Sequence, residues 1–110
     1  MKLITLDFTS AGELGHALAV EARVVRRELS TFGEALCAAA DHLNIEIAPF
    51  PGDRFLFSAW RRAKPRPAKL HPVFCIRIVR AGQEFCPKHD LNLELLHEDS
   101  VEFRRIIGSP

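Results

Sequence analysis

The chain has 110 residues and a mass of 12.4 kDa, enough for one domain spanning 1–110, because a second core would have too few residues to close. Hydrophobic residues make up 47% and charged residues 26%, with a formal net charge of +1. These values exclude wholesale disorder, a strongly acidic mimic of DNA and a uniformly polybasic chain.

The chain opens with Lys2 and an apolar run, Leu3-Ile4-Thr5-Leu6, that Asp7 ends at once. A secretory signal needs a longer apolar core, and a membrane span needs about 20 apolar residues. The expected location is therefore cytoplasmic, with no membrane association. Cys37, Cys75 and Cys86 are an odd number, which cannot close a disulfide framework within one chain. Reduced thiols fit that compartment.

Residues 1–9 read as a strand, since Ile4, Leu6 and Phe8 alternate with Thr5 and Asp7. Ser10 and Glu13 then have capping-box spacing. From Leu14 through Leu18, Ala22, Val25, Leu29, Phe32, Leu36, Ala39 and Leu43 the apolar residues recur every three or four positions. That stripe predicts one long helix over 10–44, roughly 45–50 Å at 1.5 Å per residue, ending at Asn44. A second capping box, Thr31 with Glu34, and Gly33 inside the pattern leave a two-helix elbow as the alternative. A helix of that length would overhang its sheet and offer a surface to a partner.

Strand patterns fill 45–110. Ile45 and Ile47 alternate, 49–53 form a turn, and 54–62 alternate with Phe55, Phe57 and Ala59 on one face. Pro65, Pro67 and Pro72 hold a loop extended over 61–72, because proline fixes φ and restrains the residue before it. Residues 73–80 are rich in β-branched residues, Ala81-Gly82-Gln83 reads as a hairpin turn, and 84–86 return. Leu91, Leu93 and Leu95 alternate, and a last strand covers 101–107. The expected fold is α+β: an antiparallel sheet of five or six strands packed on one long N-terminal helix, in the order β-α-β-β-β-β.

Charge is unevenly placed. Residues 1–53 carry four Lys/Arg against eight Asp/Glu, and 81–110 carry three against six. Between them, Arg54, Arg61, Arg62, Lys64, Arg66, Lys69, Arg77 and Arg80 stand in 27 residues without one acid. Guanidinium groups are forked donors for phosphate and carboxylate, and an exposed Trp60 could stack on a base or fill a protein pocket. These eight cations and Trp60 are the candidate partner-binding residues. The alternative is internal pairing with the acidic 10–44 segment.

His71, Cys75, Cys86 and His89 have zinc-ligating atoms, spaced H-x3-C-x10-C-x2-H. A hairpin turning at Gly82 offsets Cys75 from Cys86 along the strands, which is awkward for a shared metal, so a small zinc-binding protein is the lesser alternative. Cys86, His89 and Asp90 are too local for a usual triad. Glu94, Glu98 and Asp99 near His97 could act as acid–base groups, but a solvated strand end explains them. Gly12 and Gly15 lack the third glycine of a dinucleotide fingerprint. Lipase, phosphate-loop and zincin motifs are absent from the sequence.

The expectation is a non-enzymatic protein without a cofactor. It would act by occupancy on a protein or ribonucleoprotein complex through its basic surface, as monomer or homodimer. Phage-encoded inhibitors of host defence, anti-CRISPR proteins among them, share its small size and lack of catalytic motif. The second hypothesis is a nucleic-acid-binding domain in which Arg61, Arg62 and Arg66 contact phosphate and Trp60 stacks. The two differ in what they ask of the flanking acids, which repel a polyanion unless the fold turns them away.

Overall fold

In the computed structural model, which describes residues 2–11 and 23–106, alternation places the strands. β1 (Leu3–Asp7) turns Ile4 and Leu6 inward, and β2 (Val24–Glu28) runs antiparallel along it with Val25 opposite Leu6. Helix α1 (Phe32–Leu43) follows, then β3 (Ile45–Pro49), β4 (Leu56–Arg61), β5 (Phe74–Arg80), β6 (Gln83–Phe85) and β7 (Ser100–Arg105). The sheet order is β2-β1-β7-β5-β4-β3. β4 and β6 share one edge of β5, β4 pairing at Phe74 and Cys75 and β6 at Ile78 to Arg80. Inward-facing Ile4, Leu6, Phe57, Phe74, Ile76, Ile78, Val101 and Phe103 form one core with Phe32, Ala35, Leu36, Ala39 and Leu43 of the helix.

The α+β class holds, but the long helix does not. α1 has 12 residues, about 18 Å at the helical rise, and no described overhang. It starts where Thr31 caps it: the Thr31 hydroxyl accepts from the Glu34 N–H at 3.2 Å, and the Glu34 carboxylate accepts from the Ser30 and Thr31 N–H groups. It ends at Asn44, whose left-handed backbone (φ 56°) lets its N–H reach the last-turn carbonyls of Ala40 and Asp41. Residues 24–28, expected as helix, pair with β1 instead. Val25 packs on the core from β2 and Leu29 from the segment after it, so two elements together reproduced a helical spacing. The Ser10–Glu13 capping box and the rest of the expected helix over 12–22 lie outside the described residues.

The sheet is mixed, not purely antiparallel. β1 and β7 lie side by side and parallel, Leu6 beside Val101. Alternation fixes which face a residue takes but carries no strand direction. The turn at Ala81-Gly82 is a two-residue hairpin with both φ positive (49° and 79°), the twist that matches right-handed strands. Phe55, expected to share one face of that strand with Phe57 and Ala59, lies before β4 and is exposed.

The alternating leucines of 91–95 are not a strand; a single bridge links Glu94 to Thr31. Their backbone serves the helix. The Leu93 and Leu91 carbonyls accept from the first two helical N–H groups, Phe32 at 2.9 Å and Gly33 at 2.8 Å, and the Leu95 N–H returns a bond to Ser30 at 2.9 Å. Those donors have no partner inside a helix. This approach needs Gly33, since a Cβ there would lie 2.9 Å from the Leu91 oxygen.

Candidate interaction surface

The basic segment divides into cations that hold the fold and cations that do not. Arg62 belongs to the first group. It leaves β4, pairs with Asp41 at 2.9 Å and Glu46 at 3.3 Å, and donates to the Ile45 carbonyl at 3.2 Å, tying helix α1 to β3. Arg80 is more deeply engaged. Its guanidinium grips both oxygens of the buried Asp99 carboxylate, donates to the Glu94 carbonyl and lies over the Phe85 ring at 5.0 Å. Asp99 also accepts the Leu96 N–H at 2.8 Å. The bond to Asp99 raises the Arg80 pKa above its ordinary value, so this cation is a fixed part of the 94–99 turn. Both residues, expected in the partner-binding set, are internal pairs.

The remaining candidates form no ion pair among the described residues. Arg54 sits at the far end of the β3–β4 hairpin, over the Phe55 ring at 5.7 Å. Arg77 lies on the outer face of β5, across from Glu102. Arg61 ends β4, and Lys64, Arg66 and Lys69 follow on the β4–β5 connection; every residue from 61 to 69 is exposed. Trp60, half-buried at the end of β4, carries the Arg66 guanidinium over its ring at 5.4 Å. That contact and the prolines space the loop cations on a firm base.

Among the described residues, seven of the flanking acids are held in ion pairs. Asp41 and Glu46 share Arg62; Glu84 and Glu102 share Arg104; Lys2 takes Glu94, Arg26 takes Glu98, and Arg80 takes Asp99. The Lys2 ammonium lowers the Glu94 pKa below the usual glutamate value, and Glu102, then Glu84, raise that of Arg104. Among the described residues, Arg62 is the one loop cation that pairs with the acidic N-terminal half, at Asp41 and Glu46.

The metal candidates do not converge. His71 is exposed in the loop, and Cys75 lies on the outer side of β5, between Leu56 and Arg104. His89 is committed elsewhere: its Nε2 donates to the Leu56 carbonyl at 2.7 Å and its ring meets Phe57 edge-on. Among the described residues no group of three or more His, Cys, Asp or Glu could hold a metal ion. Asp90 caps its own turn by accepting the Asn92 N–H. Glu94, Glu98 and Asp99 are drawn into separate ion pairs. No protein-family model, curated protein or solved structure matches the chain.

One surface has no counterpart in the sequence patterns. The solvent side of α1, the start of β3 and Leu91 enclose a shallow groove, in which cavities of about 220 and 670 Å³ share Gly33, Cys37, Asp41 and Leu91. Its parts are remote in sequence, and no spacing rule joins Cys37 to Leu91. No helix of the described residues is long and apolar enough to cross a membrane.

Proposed function

We propose that this protein acts by occupancy, holding a macromolecular partner on the exposed loop 61–69 without catalysing a reaction. The observation that carries this reading is the run of nine exposed residues in which Arg61, Lys64, Arg66 and Lys69 have no ion-pair partner among the described residues, beside Trp60. A loop that contributes no core yet gathers cations is poorly explained by stability. A protein or ribonucleoprotein complex suits a surface on which Arg62, Asp41 and Glu46 present both signs next to the loop. Inhibitors of host defence complexes encoded by phages work in this way, and small size without a catalytic motif supports that setting.

The test is a triple substitution, Arg61→Ala with Lys64→Ala and Arg66→Ala, leaving Arg62 and Arg80 in place. Partner capture should be lost while the melting temperature holds. Capture of the same partner by the variant would remove the loop from the function.

The occupied state of the flanking acids favours a second reading, direct nucleic-acid binding. Seven carboxylates are already held by cations, which softens their repulsion of a polyanion. If four loop cations contact phosphate, log affinity for an oligonucleotide should fall against log salt with a slope of about −3 to −4. Absence of binding at low salt excludes this second reading.

A further inference from the structure

We propose that a second copy of this chain occupies the groove along α1, laying its loop 63–69 against Cys37, Asp41 and Leu91 and receiving the same contact in return. Charge complementarity identifies the occupant. Among the described residues, Glu28, Glu34, Asp41 and Glu46 line the groove with Arg62 as the one Lys or Arg, an excess of three negative charges. The loop offers Lys64, Arg66 and Lys69 with no acid.

Shape agrees with charge. Gly33, Cys37, Ala38 and Ala40 are small, so a chain can come close to the helix, while Leu91 (42% exposed) gives the loop prolines an apolar wall. Within one molecule the loop leaves the groove at Arg62, and none of residues 63–69 lines either cavity. Arg62 already shows how a guanidinium sits there, against Asp41 and Glu46. Because the loop begins at the rim of the groove, a two-fold axis beside Arg62 lets each copy satisfy the other. Such an exchange is closed and doubles every contact.

This inference uses the same loop as the function proposed above, and the dimer and the external partner therefore compete for it. The experiment is sedimentation velocity on the full chain, with reductant present to prevent thiol cross-linking. The wild type should show a concentration-dependent dimer that weakens roughly tenfold or more as salt rises well above physiological strength. Cys37→Arg fills and recharges the groove, and Lys64→Glu with Lys69→Glu recharges the loop; each should give a folded monomer that still unfolds cooperatively, without the concentration-dependent melting temperature of the dimer. The loop variant alters only exposed positions, so it reports even if the helix variant fails to fold. A wild type that stays monomeric at low salt overturns the proposal, as does a dimer indifferent to the loop variant. Cys37→Arg leaves the loop intact, so partner capture by that variant tests the occupancy reading separately from the dimer.

Discussion

Asp99 is buried, and the structure surrounds it with one guanidinium and one backbone N–H. An amide in its place keeps the shape but loses the charge and one acceptor oxygen. Asp99→Asn should therefore destabilise the protein by about 2–4 kcal/mol in urea unfolding, since Arg80 loses its ionic partner. Arg61→Ala, at an exposed cation without such a partner, should stay within about 0.5 kcal/mol of wild type. A second residue-scale prediction concerns acid. Bonding to Lys2 lowers the Glu94 pKa below its ordinary value of 4.5, so the unfolded chain binds this proton more readily than the folded one. The resulting stability is present above pH 4.5 and is lost as pH falls through the lowered value. Lys2→Met should remove it: wild type and variant should differ near neutrality and converge in acid, measured by denaturant unfolding across that range.

At the scale of elements, Gly33 sets two effects against each other. Propensity alone says that alanine would stabilise a helical position by about 1 kcal/mol. The Leu91 oxygen, 2.9 Å from the position of the new Cβ, says the opposite, because it belongs to a backbone already bonded to the Gly33 N–H. Overpacking of this kind costs about 1–3 kcal/mol, so we expect Gly33→Ala to be net destabilising, with the 91–95 segment losing amide protection from exchange. Thr31→Ala should cost about 1 kcal/mol through the lost cap. The end of α1 at Asn44 was legible in the sequence, whereas its start at the Thr31–Glu34 box stood only as the alternative to a helix beginning at Ser10. Its length was not, because Val25 and Leu29 reach the core from outside the helix at intervals a helix would also give. The basic block was equally plain, but its division was hidden. Which cations are free depends on Arg62 meeting Asp41 and Glu46, and Arg80 meeting Asp99, contacts made by folding and not by spacing.

Across the whole molecule, the pairing of β1 with β7 joins the two ends of the described chain in the middle of the sheet. Leu6 and Val101 are neighbours there, and β7 also pairs with β5 from Phe74 to Val79. Removing residues 100–110 should therefore unfold the domain, not trim it, and circular dichroism should show loss of the cooperative transition. Contacts of such sequence separation also slow folding, because the intervening loop must close before they form. The same placement orders events at the ribosome. β1, β2 and α1 emerge first but cannot complete their sheet, and the edges of β1 and β5 stay bare until Ser100–Arg105 has cleared the exit tunnel. Bare edges recruit other strands, so the chain is most open to mispairing in the interval before β7 docks between β1 and β5.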